Sequence, residues 1–364
     1  MSFEPTDIQD LARGAALLGA GGGGDPYLGS LLLEAAVAEH GAPRLINVES
    51  LADDDLLIPV AMMGAPTVLL EKFPNGGEGK RVLARLEDRI GRRATAIMAA
   101  EIGGGNALIP LMLGAQLGLP VVDGDGMGRA FPELHMVTFN IFDVSISPMA
   151  MTDEHGNVVS IDGVGGEHVE RLARHVIMGM GGSGMIALYP MNGVQARQAT
   201  VRGTISMAME IGAALRNARE AGLDPFEALS DYLRSTPYYQ HCHALCTGKI
   251  VDLQRETRAG FAVGRAIIET HGRSSSTTKI EFQNEHLAAW TDGRLRASVP
   301  DLICVLDQET AEPITTEALK YGQRVHVMAI GAPPILRETR SLAVLGPQAF
   351  GYEHDFQEIE QLNQ

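Results

Sequence analysis

Apolar residues recur at helical spacing in Ile8, Leu11, Ala15 and Leu18, which predicts a first helix ending at Gly19. A capping-box pattern over Thr6 to Gln9 precedes it. Asp25-Pro26 reads as an N-cap followed by proline at the first helical position, opening a second helix to about His40. The run 55–63 (DLLIPVAMM) reads as a buried strand, with Pro59 pointing to an edge or a bulge. Val82, Leu83, Leu86 and Ile90 share one face of a helix over 81–90. Buried strands are expected at 94–100 and 121–122, joined by a glycine turn and an apolar helix that stops before Pro120. Runs 136–142 and 149–152 read as strands, and Glu154-His155-Gly156-Asn157 as a hairpin turn into 158–161. Helices over 166–178, 206–221 and 225–235 flank a strand at 185–189. From about Cys246 the pattern changes to short β-branched runs with charged turns, at 249–253, 261–268, 279–282, 287–290, 302–306 and 325–330.

This order predicts an α/β N-terminal domain over 1–165 and a C-terminal α+β domain over 166–364. The latter is helical to about 245 and carries a β-rich barrel or sandwich from about 246 to 345. The chain has 364 residues, 45% of them hydrophobic and 20% charged, enough for a large core. Lys+Arg 29 against Asp+Glu 45 leaves −16, which argues against nucleic acid or an anionic membrane surface as partner. The three cysteines, Cys242, Cys246 and Cys304, fit a reducing compartment. The opening MSFEPTDIQD lacks the apolar stretch of a secretory signal, and no run is long enough to span a bilayer, so a cytoplasmic location is expected.

Candidate chemistry concentrates in residues 99–133. Glu101 closes one predicted strand, and Asp123 and Asp125 close the next in an Asp-Gly-Asp-Gly turn, with Glu133 further on. Carboxylates at strand ends can act as general bases or hold a divalent metal. Glu101, Asp123 and Asp125 are therefore the catalytic candidates. Asp-Gly pairs also form turns with no catalytic role. Gly104, Gly105 and Asn106 open a helix, where free N–H groups suit a developing negative charge, and Arg129 can clamp a substrate oxygen. The run Gly21 to Gly24 follows a helix and lacks a Lys-Ser or Lys-Thr pair, so it fails the phosphate-loop pattern. It reads as a helix–helix turn or as a lining of the site. His241 and His243, two apart, and Asp125 are the metal-ligand candidates, although a solvated loop with a buried cysteine is the better reading of the histidines. His155 and His168 are secondary candidates. Asn284 and Glu285 sit at a β-domain turn from which they can reach the site.

Several stretches resemble one family in order along the chain: LGAGGGGDPY from Leu18, Glu101 to Asn106, PVVDGDGMGRAFPE from Pro120, and Gly248 to Asp252 with Arg255, Thr257 and Gly260-Phe261. Asn284-Glu285, PDLICVLD from Pro300 and GPQAFGY from Gly346 complete the set. Together they are similar to the S-methyl thiohydantoin desulfurase family. The resemblance implies an N-terminal α/β domain, a partly β-rich C-terminal domain, and chemistry on a small hydantoin-like ring, namely hydrolytic removal of methanethiol. Relatives occur alone or joined to hydantoinase/oxoprolinase modules. The alternative it leaves open is a non-catalytic or ligand-binding subunit of such a system. The expected partner is a small-molecule substrate, with a homo-oligomer or a hydantoinase-type partner as further expectations.

Overall fold

The structure is a computed structural model and describes residues 3–64, 68, 72, 75–258, 260–270 and 275–364. Its centre is a mixed eight-stranded sheet. Strands Leu45–Ile46, Val121–Val122, Ala96–Ala99 and Leu56–Gly64 lie side by side in parallel. Ser183–Ala187, Met149–Thr152 and Val158–Ile161 continue the sheet antiparallel, and Met191–Asn192 pairs with the start of Leu56–Gly64. Parallel strands buried on both faces read as unbroken apolar runs, which is what LLIPVAMMG and AIMA are. Both strands end at the same edge of the sheet, placing Met62 to Gly64 beside Ala100 and Glu101, where ligands usually bind in α/β sheets. The sheet takes in two strands from beyond residue 165.

The C-terminal sheet has seven antiparallel strands in the order Arg294–Ser298, Glu285–Thr291, Thr277–Gln283, Phe261–Thr270, Cys242–Arg258, Arg324–Ile330 and Leu302–Asp307. It curls into a half-barrel: His286 Nδ1, near one edge of the sheet, donates to Ile303 O of the opposite edge strand at 2.8 Å. Ile250, Ile268, Ile280, Phe282, Val325 and Val327 fill its own small core. Helix Thr204–Glu220 crosses helix Pro5–Leu18 so closely that a Cβ on Gly212 would lie 1.9 Å from Asp10 O. The same crossing buries Asp10, which accepts from Arg216 at 2.8–3.1 Å and from Arg13 at 3.0 Å.

Four expectations are corrected. Residues 136–142 are not a strand: their alternation is apolar, but they form the short helix Thr138–Ile141, where Phe142 N bonds Thr138 O and the Thr138 hydroxyl bonds Gly126 O. Pro59 stands in a central strand. It falls between the register of Met191–Asn192, which ends at Leu57, and that of Ser183–Ala187, which begins at Val60. There its missing N–H is not needed. The first cap falls on Glu4, whose N–H donates to Asp7. The β region begins at Cys242 rather than 246, because bulges at Ala244/Cys246 and Ile250/Asp252 switch the exposed face and hide the strand's period.

Candidate functional site

A cavity of about 70 Å3 opens at the sheet edge where Leu56–Gly64 and Ala96–Ala99 end. One water needs roughly 10–15 Å3 by this measure, so it holds a few waters or a small ring. Its wall combines Ala61 to Gly64, Ala100 and Glu101 from the sheet with Asn106, Phe131 to Leu134, Arg174 and Tyr189. Gly23 and Gly24 supply a third side, and Asn284 and Glu285 of the half-barrel the fourth.

Glu101 and Glu285 are the two buried carboxyls of this cavity, 8% and 3% exposed. Oε1 of Glu101 accepts from Asn106 Nδ2, and Oε2 of each has no partner among the described residues. Asn106 is itself fixed: its Oδ1 accepts from Met62 N at 2.7 Å and its Nδ2 also donates to Met62 O at 3.3 Å. Burial pushes the Glu101 carboxyl up to about 8, against the Asn106 hydrogen bond, and the neighbouring Asp125 charge adds to the rise. Burial, then the charge of Glu101, hold the Glu285 carboxyl well above the usual range, while Arg129 pulls the other way. Two such groups retain at least one proton at neutral pH.

The half-barrel reaches the cavity through a tight backbone junction. Asn284 has φ 58°, a left-handed conformation, and its Oδ1 and N–H bond both sides of Ala262. His286 N donates to Ala20 O at 2.8 Å and Thr316 N to Gly21 O at 2.8 Å. A Cβ on Gly22 would lie 2.0 Å from Glu285 Oε1, so only glycine lets the turn seat that carboxyl. Gly104 and Gly105 pack behind the cavity against this turn, Gly105 N donating to Gly23 O at 3.0 Å. The Gly21 to Gly24 run is thus both a helix–helix turn and a wall of the site. The Gly23 and Gly24 N–H groups have no partner among the described residues and border the cavity.

The remaining candidates lie outside the cavity. Asp125 Oδ2 accepts three backbone N–H bonds, from Ile102 at 3.0 Å, Met127 at 2.9 Å and Gly128 at 2.8 Å. Burial lifts this carboxyl to about 7 against those donors. It pins the loop that follows Glu101. Asp123 ties off the start of helix Thr204–Glu220, accepting from Ile205 N, Ser206 N and Ser206 Oγ. Arg129 is fully buried and points at carbonyls: Nε to Ala130, Nη1 to Pro300 and Asp301, and Nη2 to His286, all at 2.8–3.1 Å. Burial lowers its pKa to about 10. It joins the two sheets and offers no free face to a substrate. His241 is half-exposed with Nε2 3.8 Å from Glu360, and burial lowers the pKa of His243. Among the described residues no three of His, Cys, Asp or Glu stand together in a group that could hold a metal ion.

Two cavity residues, Tyr189 and Arg174, were not singled out as site candidates, whereas Glu133 was among the carboxylates of the 99–133 stretch. Tyr189 adopts φ 49° and donates its hydroxyl to Leu134 O at 3.0 Å. A bulky side chain there is a strained wall of the kind found at binding sites. Arg174 pairs with Glu170 at 2.5 Å, donates to Pro132 O and lies over the Phe261 ring. Glu133 is half-buried, and burial raises its pKa. The left-handed tyrosine has no sequence signature.

No described helix is long and apolar enough to cross a membrane. Among curated proteins none matches the chain. A crystal structure of a protein from Chromobacterium violaceum is similar, with TM-score 0.81 and 25% identity over 99% of this chain and 100% of that one. Residues 6–163 match the S-Me-THD-like N-terminal domain and residues 165–359 the S-Me-THD-like C-terminal domain. With both domains matched in order over nearly the whole length, the chain belongs to the S-methyl thiohydantoin desulfurase family.

Proposed function

We propose that the chain is a hydrolase of small hydantoin-like rings that removes methanethiol from an S-methyl thiohydantoin. The observation that carries this reading is the Glu101/Glu285 pair, two buried carboxyls with a free oxygen each on one small cavity. No Ser, Thr, Cys, His or Lys lines that cavity among the described residues, and we assign water as the nucleophile, with a carboxyl as its base. Glu101, held by Asn106, takes a proton from water as its oxygen bonds ring C2. The Gly23 and Gly24 N–H groups and Asn284 face the negative charge that develops on the ring. The C2–S bond then breaks, methanethiol leaves with the proton that Glu101 took, and the ring keeps a C2 carbonyl. Burial holds Glu285 protonated beside it, and departure of the thiolate does not draw on that proton.

Methanethiol release from an S-methyl thiohydantoin tests this. E101Q is expected to lower kcat/KM by about 10²–10⁴, the range for a general base. Because Glu101 must lose its proton to act, wild-type kcat/KM should rise with pH through about 8. A folded E101Q protein with unaltered kcat/KM removes Glu101 from the mechanism.

A further inference from the structure

We infer that the same cavity hydrolyses rings that carry nitrogen in place of sulfur at C2, the cyclic guanidines and amidines, releasing ammonia. This rests on the hydrolase reading above and extends it to a second substrate class. The argument is about leaving groups. Methanethiolate can depart as an anion, and a site built only for it needs a base and a charge-stabilising wall. An amide anion is too basic to depart, so a nitrogen leaving group must receive a proton as its bond breaks. The cavity is provisioned for that harder case. It holds two carboxyls where expelling a thiolate needs one, and each keeps a free, buried oxygen: Oε2 of Glu101 and Oε2 of Glu285.

The rest of the wall agrees. None of the three cysteines lines the cavity, and Cys304 is buried elsewhere with its Sγ on Leu17 O. The cations near it are committed: Arg174 to Glu170 and Pro132 O, Arg129 to four carbonyls. Two carboxyl oxygens are free to receive the N–H groups of a guanidinium or amidinium ring.

The step balances with water alone. Glu101 accepts a proton from water while the water oxygen bonds C2, and the C2=N electron pair moves onto nitrogen. Glu101 passes that proton to the nitrogen, and Glu285 delivers its own as the C2–N bond breaks and ammonia departs. The C2 hydroxyl gives its proton to Glu285 as it becomes a carbonyl, which restores the pair.

The experiment incubates the purified full chain with 2-iminohydantoin and, separately, with an S-methyl thiohydantoin, and follows ammonia, methanethiol and hydantoin. Release of ammonia with matching hydantoin is the expected result. E285Q should lower the nitrogen reaction at least tenfold more than the sulfur reaction. Methanethiol without ammonia overturns this inference and leaves the hydrolase reading standing. Ammonia without methanethiol supports the inference and overturns the sulfur assignment. Neither product overturns both. An equal loss on both substrates in folded E285Q removes Glu285 as the acid specific to nitrogen.

Discussion

Replacing Glu101 by glutamine should make the protein's stability less sensitive to pH. The substitution keeps the shape and an oxygen for Asn106, and removes only the titrating proton. In the folded chain burial raises the carboxyl from its ordinary 4.5 to about 8. The folded state therefore binds this proton more tightly than the unfolded state does. A raised carboxyl contributes stability that is complete below pH 4.5 and is lost as pH rises to about 8. At about 1.4 kcal/mol for each tenfold change in proton affinity, the loss is roughly 5 kcal/mol, comparable with the whole stability of many domains. Urea unfolding between pH 5 and pH 9 measures it. The single tryptophan, Trp290 on the half-barrel, reports one sheet and far-ultraviolet circular dichroism the rest. The stability of E101Q relative to wild type should rise by several kcal/mol across that range. A difference that stays flat within about 0.5 kcal/mol would show that Glu101 ionises freely. The acid–base pair, and the hydrolase reading built on it, would then fall.

Other perturbations follow from packing. R129M leaves the carbonyls of Pro300, Asp301 and His286 without their donor and should cost at least about 3 kcal/mol, read as a shift in the urea midpoint. R129K keeps the charge but not the fork and should recover less than half of that. G22A pushes a methyl into Glu285 and should reduce turnover at least tenfold, with a stability loss of only about 1–3 kcal/mol. Unchanged turnover there would show that Glu285 need not sit where it does. G212A meets the Asp10 backbone, which cannot yield as a side chain can, and should lower Tm more than G22A.

Helices with strong signals were legible, as Asp25 capping Pro26–His40 illustrates. So were Glu101 and Asn106 as cavity residues. The role of Asp125 was not, because sequence shows a carboxylate and not whether its lone pairs are taken. Its donors include Ile102, far back in the chain. Asp123 and Arg129 illustrate the same gap: each has the residue type a site needs, and each is spent on backbone groups. Glu285 was visible as a candidate, but its pairing with Glu101 depends on the curl of a sheet whose longest strand hides its period behind two bulges.

The junction of Ala20 and Gly21 with His286 and Thr316 also bears on how the chain is made. During synthesis from the N-terminus the large sheet can gather its first strands while the half-barrel is still unmade. The fourth side of the cavity arrives only after Glu285 has emerged, and Thr316 fastens it. Such distant pairings form late in folding. A nascent or truncated chain thus holds one carboxyl without its partner. On the hydrolase reading, turnover needs the chain at least through Thr316, and its regain on refolding should lag recovery of the first sheet.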